Sequence, residues 1–447
     1  MHPAPEAPVN SNGTSEIRQR IAGPVIALGE RVRGLSGLVA RIHWPRSQRH
    51  GTNHAILGAT LLWIGAVVVT FAGPGDRSIA GPLKGADFVH FYTLGHLAAA
   101  HRVDAIYDIK TLHDAQVALV PASKPDLYPP VYPPQAALLF TPFSGWSYRP
   151  ALLIWSAVTM ALYGAIVWSV WRRVADRLSN RRLIVAAAIV FPPFWNLVLF
   201  GQISILIVAA FWLGWLALER GRSYLAGAAF GLLALKPQFG IPLAVIVLAG
   251  GEWRMLAGAV ASVAAQAVII WSALGASVFT AFAASLRITL TYVDLLESKP
   301  FNSHSLRAVT RLVPNAIGVP LWLLLSGIVL WYTVRVWKSD APLRVRLGVV
   351  MLASLLVNPH VIVYDVTLLA LPLLWFGAYM LEPPRREVAP AFGVLIYWLF
   401  VALLIPTARV IGLQVSVPLM MGLLVWMSRA ATKSSKAPSS APSTIAV

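Results

Sequence analysis

The sequence predicts an all-α, polytopic membrane protein, and three observations support this fold class. Apolar residues make up 57% of the 447 positions, charged residues only 12%, and the mean hydropathy is +0.68. Soluble domains carry about 25% charged residues, so this chain lacks the polar surface that a soluble protein of its length needs. Long apolar runs separated by short polar segments fill the chain from residue 54 to residue 428. The absence of Cys excludes disulfides, thiolate metal sites and a Cys nucleophile.

The two ends of the chain are polar. Residues 1–50 are rich in Pro, Gly, Ser and Arg and lack the short apolar core of a signal peptide. Residues 1–50 are predicted to form a basic cytoplasmic tail. Apolar residues recur at helical spacing between Leu28 and Ile42, which fits a basic interfacial helix and a loosely ordered tail equally. Residues 429–447 are predicted to form a disordered cytoplasmic tail.

Between these tails the apolar runs predict about twelve transmembrane helices, since a crossing needs about 20 residues and sometimes about 17. They are expected at 54–72, 150–171, 183–199, 203–219, 223–235, 238–250, 255–275, 317–337, 343–357, 361–381, 389–406 and 411–428. The segments 223–235 and 238–250 are short and flank Pro237, so one helix broken by this proline is the alternative.

The distribution of basic residues favours twelve crossings with both termini in the cytoplasm. In that topology 24 of the 36 Lys and Arg residues fall on the cytoplasmic side, where such residues collect, while the 18 acidic residues divide equally. The net charge of +18 therefore indicates orientation in a bilayer and not a nucleic-acid partner. The same topology puts the two long connections, 73–149 and 276–316, on the outer (periplasmic) face of the cell inner membrane. Connections this long are usually functional or disordered.

The first outer connection contains two motifs of interest. Asp87 starts a helical pattern that continues to about His101. Asp at this position fits an N-cap, whereas a desolvated carboxylate beside aromatic rings fits a general base. The second motif, Tyr128 to Pro134, contains four prolines and two tyrosines. It predicts a rigid extended strut, which either leads into the apolar segment 135–143 or forms an aromatic wall for a sugar or a prenyl chain.

Two further polar groups lie at the predicted outer ends of the spans, where charged residues are costly and therefore functional candidates. Lys236 either extends harmlessly to the interface or neutralises a phosphate, with Gln202 and Gln238 as hydrogen-bond donors. His360 and Tyr364 are four residues apart, so we expect them to share one helix face. His360 either binds phosphate or is a satisfied core histidine.

The order and spacing of these motifs resemble those of the GT87 (DUF2029) glycosyltransferases. The resemblance covers about residues 54–428. The sequence has no Walker, GxGxxG, HExxH or DxD motif, which argues against ATP hydrolysis and zinc proteolysis. It is carried by Asp-Phe-x-x-Phe-Tyr at 87–92, Ala105-Ile106-Tyr107-Asp108, Tyr132-Pro133-Pro134 followed by Pro142, Gly201-Gln202, Lys236-Pro237-Gln238 and His360 with Tyr364-Asp365.

The resemblance implies a GT-C fold over residues 54–428. Such enzymes transfer a hexose, here expected to be mannose, from a polyprenyl-phosphate sugar to a glycolipid or glycan acceptor of the cell envelope; some members transfer arabinofuranose. They invert the anomeric configuration and need no metal or other cofactor.

The resemblance also implies the roles of individual residues. The family's catalytic Asp corresponds to Asp87, and its late His corresponds to His360. Lys236, Gln202, Gln238 and Tyr364 are expected to bind the donor phosphate together with His360. A substrate cavity is expected to contain His90, Tyr92, Tyr128, Tyr132, Asp365, Asn302 and His304, the last two within a stretch that contacts the acceptor and varies among members.

A transporter or flippase of a lipid-linked sugar is the alternative function. Transporters often contain internal repeats and charges at the bilayer midplane, whereas this sequence has no evident repeat and its polar groups lie at span ends. A membrane component without chemistry would leave the long segment 73–149 unexplained.

Overall fold

The computed structural model describes residues 75–291, 302–383, 385–404 and 407–434, together with parts of residues 53–73. Predictions for residues 1–50 and 435–447 lie outside the described residues. The predicted C-terminal tail begins too early, because the last helix continues to Ser434. The described residues form helices and turns, with two isolated bridges and no strand among them. This confirms the predicted all-α class.

The helices are numbered here in chain order. They are α1 Thr60–Thr70, α2 Phe88–Ala99, α3 Val103–Ile106, α4 Ile109–Leu119, α5 Gln135–Phe140, α6 Tyr148–Arg172, α7 Arg181–Val190, α8 Pro192–Phe200, α9 Ser204–Glu219, α10 Ser223–Gly231, α11 Pro237–Gly250, α12 Trp253–Leu274, α13 Ser277–Thr291, α14 Leu306–Thr310, α15 Asn315–Trp337, α16 Leu343–Val357, α17 Ala370–Met380, α18 Ala389–Leu404, α19 Thr407–Ile411 and α20 Ser416–Ser434. Short 3₁₀ segments include Leu232–Leu235 and Val363–Leu369.

Several of these helices are long and apolar enough to cross a membrane. Among the described residues there are five such segments: Tyr148–Arg172, Trp253–Leu274, Asn315–Trp337, Val363–Met380 and Arg385–Leu404. The pair α7 and α8, bent by 48°, is a sixth if it is one crossing. Shorter apolar helices, including α9, α10 and α11, accompany them. The helix positions agree with the predicted spans, while the count of twelve crossings and the GT-C fold stay predictions.

The break at Pro237 separates two helices with different neighbours. A 3₁₀ turn follows α10, Lys236 leaves the helical conformation with φ −137°, and α11 begins at Pro237. The residue before a proline is driven toward extended conformations, which explains the break. α10 packs on α9 and α12, whereas α11 packs mainly on α15 and α16 and to a smaller extent on α12. These contacts support two separate helices and not one kinked helix.

The interface between α10 and α12 depends on small residues. A Cβ atom added to Gly227 would lie 1.8 Å from the carbonyl oxygen of Met255, and one added to Gly258 would lie 2.0 Å from that of Tyr224. Neither helix could approach the other this closely with a side chain at these glycines. Such small-residue interfaces are typical of helix packing within membranes.

The burial pattern places polar and apolar surfaces as expected for a membrane protein. α16 is buried along almost its whole length and packs against α11, α15, α17 and α20, so it lies at the centre. The peripheral helices expose large apolar side chains, such as Ile269, Leu324 and Tyr397, each at least 60% exposed. Large apolar side chains exposed along helices that are long enough to cross a membrane indicate contact with lipid.

One turn brings the beginning of α2 against the end of α8. Gly201 ends α8 with φ +65°, and a Cβ atom there would lie 2.6 Å from Cβ of Phe88. The backbone N–H of Asp87 donates to the carbonyl oxygen of Phe200 at 3.0 Å. The sequence Gly201-Gln202 therefore lies directly beside the first residues of α2.

Candidate active site

Asp87 occupies the N-cap position of α2 without capping it. Its side chain makes no capping hydrogen bond with that helix. Instead, Oδ2 accepts a hydrogen bond of 3.0 Å from Nε2 of Gln202, which lies 115 residues further along the chain. The carboxylate is half-buried. The N-cap interpretation is therefore wrong for the side chain, and the carboxylate is oriented by a different part of the fold.

Gln202 is the hub of this arrangement and is only 2% exposed. Its Oε1 accepts from the backbone N–H of Ile203 at 2.8 Å. Its Nε2 lies 2.9 Å from the hydroxyl of Tyr132 and also donates to Asp87. The Tyr132 hydroxyl also lies 3.3 Å from Oε1, so this amide orients the phenol as well as the carboxylate.

The strut from Tyr128 to Pro134 lies over this hub and is held from several sides. The hydroxyl of Tyr107 donates to the carbonyl oxygen of Tyr132 at 3.0 Å, and Ser285 donates to that of Pro130 at 2.8 Å. The side chain of Tyr132 reaches Gln202. The prediction of a strut that presents tyrosines is consistent with this placement, since one of its phenols belongs to the polar network.

Lys236 forms a buried ion pair that the sequence did not reveal. Its Nζ lies 2.7 Å from Oδ1 of Asp365 and 2.9 Å from Oγ of Ser204, and both charged side chains are at most 4% exposed. Ser204 also donates to Asp365 at 2.6 Å, and the N–H of Ile362 donates to its other oxygen at 3.1 Å. Lys236 therefore does not extend to an interface, and its charge is matched by Asp365.

The ion pair is joined to the Asp87 hub through aromatic rings. Nζ of Lys236 lies 5.8 Å from the ring centroid of Tyr132 and 5.3 Å from that of Tyr364, within the range of cation–π attraction. Because Tyr132 contacts both Lys236 and Gln202, the two clusters form one unit. We call Asp87, Tyr132, Gln202, Ser204, Lys236 and Asp365 the buried network.

His360 and Gln238 are more exposed than Gln202 and Lys236. His360 is exposed, and its N–H donates to Oδ1 of Asn358 at 3.0 Å. The prediction that His360 and Tyr364 share a helix face is wrong, because helical structure begins only at Val363. Pro359 keeps Asn358 extended, which delays the helix. Gln238 is half-buried in the first turn of α11, and no described hydrogen bond joins it to the network.

Asn302 and His304 lie beside the segment that leads to Asp365. The N–H of His304 donates to the carbonyl oxygen of Val361 at 2.8 Å, and its ring contacts Ser416 at 2.7 Å and Gln414 at 2.9 Å. Asn302 is half-buried. Burial lowers the pKa of His304 from its ordinary 6.5 to about 3, so this imidazole is neutral at physiological pH.

His90 and Tyr92 point in different directions from α2. His90 lies near Tyr128 and Tyr132, with ring centroids 6.0 and 5.8 Å away. It is 2% exposed, and neither ring nitrogen has a hydrogen-bond partner among the described residues. Burial lowers its pKa from 6.5 to about 4, so it is neutral. Tyr92 instead donates to the carbonyl oxygen of Trp146 at 2.8 Å and belongs to the aromatic packing behind α2.

These placements define a class of protein: an all-α membrane protein with a polar site enclosed by its helices and one rigid strut. The model of glycosyltransferase family 87 matches residues 131–359, more than half of the chain. The chain belongs to glycosyltransferase family 87, and its class of activity is glycosyl transfer. The matched range contains Tyr132, Gln202 and Lys236, whereas Asp87 and Asp365 lie outside it. No curated protein and no solved structure matches the chain.

Proposed function

We propose that this protein transfers a hexose, with mannose expected, from a polyprenyl-phosphate sugar to a glycolipid or glycan at the outer face of the cytoplasmic membrane. The supporting observation is the hydrogen bond from Gln202 to Asp87. A carboxylate that is freed from capping and held by an amide is suited to accept a proton from a bound hydroxyl. The topology proposed for this reaction has a GT-C fold of about twelve crossings, with both termini in the cytoplasm.

The reaction is proposed to be a single inverting displacement. The acceptor hydroxyl oxygen attacks the anomeric carbon while Asp87 takes the hydroxyl proton. The bond between the anomeric carbon and the phosphate oxygen breaks, and polyprenyl phosphate leaves as an anion. Because this leaving group is already a stable anion, hydrogen-bond donors and cations suffice to stabilise it, and no metal or cofactor is required by the proposal.

The donor phosphate is proposed to bind between Lys236 and His360. The rings of Tyr364 and Tyr132 lie beside Nζ of Lys236, and Tyr132 in turn contacts Gln202. Since Asp365 already matches the charge of Lys236, the phosphate gains less from this lysine than from an unpaired cation. His360 and Gln238 are proposed to provide the additional donors from the exposed edge of the site.

The acceptor is proposed to bind under the strut. His90, Tyr128 and Tyr132 offer aromatic and polar surface next to Asp87. Asp365, Asn302 and His304 are proposed to line the side of this cavity, with Tyr92 supporting it from behind.

The substitution Asp87→Asn tests the mechanism. Asn keeps an oxygen that accepts from Gln202 but cannot take up the proton, so we expect the rate of sugar transfer to fall by about 10²–10⁴-fold. The assay uses the protein in vesicles with radiolabelled polyprenyl-phosphate mannose, followed by extraction of glycosylated product. Asp104→Asn is the matched control, because Asp104 is an exposed carboxylate of the same region. Full transfer by Asp87→Asn would refute Asp87 as the base.

The same vesicles distinguish transfer from transport. Movement of the lipid-linked sugar across the bilayer without a new glycosidic bond would support a flippase and contradict this proposal. Transfer from polyprenyl-phosphate arabinofuranose and not from the mannose donor would keep the mechanism and replace the sugar. Mass spectrometry of envelope glycolipids from a deletion strain identifies the acceptor by the residue it lacks.

A further inference from the structure

Two open apolar clefts lie on either side of α7. The first, of about 370 Å³, lies between α6 and α7 and includes Tyr163, Trp168 and Phe194. The second, of about 650 Å³, lies between α1 and α7 and includes Ile64. Trp63, Val185 and Ile189 line both clefts. The clefts are therefore adjacent and share the face of α7 that carries Val185 and Ile189. None of the residues lining them belongs to the buried network.

Two exposed arginines line the second cleft, and one of them reaches a side chain of the first. Arg181 and Arg182 line the second cleft, and the guanidinium of Arg181 lies 4.9 Å from the ring centroid of Trp168, which lines the first. Neither arginine forms an ion pair with a carboxylate among the described residues, whereas nearby Arg177 pairs with Asp176. Positive charge without a carboxylate partner thus lies in the second cleft and beside the first.

The backbone adds to this positive charge. Arg181 and Arg182 are the first two residues of α7, and no acidic residue lies in its first turn. The N-terminus of a helix carries partial positive charge, so cations there are unfavourable and anions are favoured. Asn180 caps the N–H of Leu183 but adds no negative charge. An anion at this point would interact favourably with both guanidinium groups and with the helix end.

We propose that this site binds one anionic phospholipid, with its phosphate at Arg181 and Arg182 and one acyl chain in each cleft. The apolar clefts accept chains, the arginines and the helix N-terminus accept the phosphate, and the shared ridge of α7 separates the two chains. A single-chain lipid would fill only one cleft. The site is separate from the proposed glycosyltransferase reaction, so its test does not depend on that reaction.

Native mass spectrometry of the full chain tests the proposal, using nanodiscs of equal phosphatidylglycerol and phosphatidylcholine. The wild type is expected to retain one phosphatidylglycerol. The double variant R181Q/R182Q is expected to lower its retention by about tenfold or more, since charge-assisted hydrogen bonds are lost. R220Q/R222Q is the matched control, because these exposed arginines also precede an apolar helix but line neither cleft.

A second pair of variants tests whether an acyl chain occupies the first cleft. A Cβ atom at Gly164 would meet nothing within 4 Å, and Gly164 lines the first cleft, so Gly164→Leu is expected to fill the cleft and weaken retention without disturbing the fold. Gly327→Leu is the control on α15, where a Cβ atom also meets nothing. Equal retention by all variants overturns the proposal, as does absence of lipid from the wild type. Displacement of phosphatidylglycerol by equimolar polyprenyl phosphate also overturns it, in favour of a single-chain lipid.

Discussion

The buried network and the Arg181–Arg182 pair place positive charge in opposite ways. Lys236 is 3% exposed and has Asp365 and Ser204 within 2.9 Å. Arg181 and Arg182 are exposed and have no carboxylate partner in the part of the chain that the structure describes. A buried charge is very unfavourable unless the protein itself compensates it, whereas a charge at the surface is solvated until a ligand arrives.

This difference predicts which substitutions affect folding and which affect only binding. Removing one member of the buried network leaves its partner uncompensated, so stability and activity should fall together. Removing an exposed arginine leaves no such partner, so only the ligand should be lost.

Asp365→Ala should have the largest effect, because it leaves Lys236 charged, buried and without its carboxylate partner. Breaking such a pair destabilises a protein by about 3–5 kcal/mol. We expect a lower yield of folded protein and a lower unfolding midpoint in detergent. The control is the double variant Lys236→Met with Asp365→Leu, which removes both charges and should recover most of the loss. If the single variant were as stable as the wild type, the ion pair would make no contribution to the free energy of unfolding.

His90 is a third case: it is buried without a hydrogen-bond partner among the described residues, and it avoids the cost of a buried charge by remaining neutral. Its pKa is about 4 in the folded chain and 6.5 in the unfolded chain. Below pH 6.5 the unfolded chain binds the proton first, so stability falls as pH decreases toward 4 and is unaffected by this group above pH 7. The loss between pH 7 and pH 5 is about 2 kcal/mol.

Thermal unfolding in detergent at pH 7 and pH 5 measures this effect. His90→Phe removes the titrating group while keeping an aromatic ring, so its stability should change less between the two pH values than that of the wild type. His304, whose pKa is also lowered by burial, should produce the remaining acid sensitivity. Identical pH dependence of the His90→Phe variant and the wild type would show that folding does not change the pKa of His90.

R181Q/R182Q should have the smallest effect on stability. In detergent without lipid, two cations are removed from a helix N-terminus, so the free energy of unfolding should rise by about 0.3–1 kcal/mol. Added phosphatidylglycerol should raise the unfolding midpoint of the wild type but not that of the double variant. A large destabilisation without lipid would show that these arginines stabilise the fold, as Lys236 is expected to do, and would contradict the distinction drawn between the two sites.

Local patterns in the sequence predicted the helices well, but not the contacts between them. Apolar runs located α6, α11, α15 and α16 to within two residues at each end, because the length of an apolar run is a local property. Pro237 marked a real break for the same reason. The start of α2 next to Asp87 was also readable from the spacing of its aromatic residues.

The partners of the polar residues were not predictable, since they come together only after packing. Gln202 is 115 residues from Asp87, and Lys236 is 129 residues from Asp365. No periodicity links such positions, so the sequence suggested Lys236 as an unpaired phosphate ligand and overlooked Ser204. The signal for Ser204 was weak: a single hydroxyl at the start of an apolar helix, two residues after Gln202.

The strut has a mechanical consequence. Four of its seven residues are prolines, so its backbone has few ways to bend and few N–H groups for holding itself in place. Its position is fixed by hydroxyl groups of Tyr107 and Ser285, which come from separate segments of the chain. Because the strut is stiff, a shift of either segment would move Tyr128 and Tyr132 together as one unit.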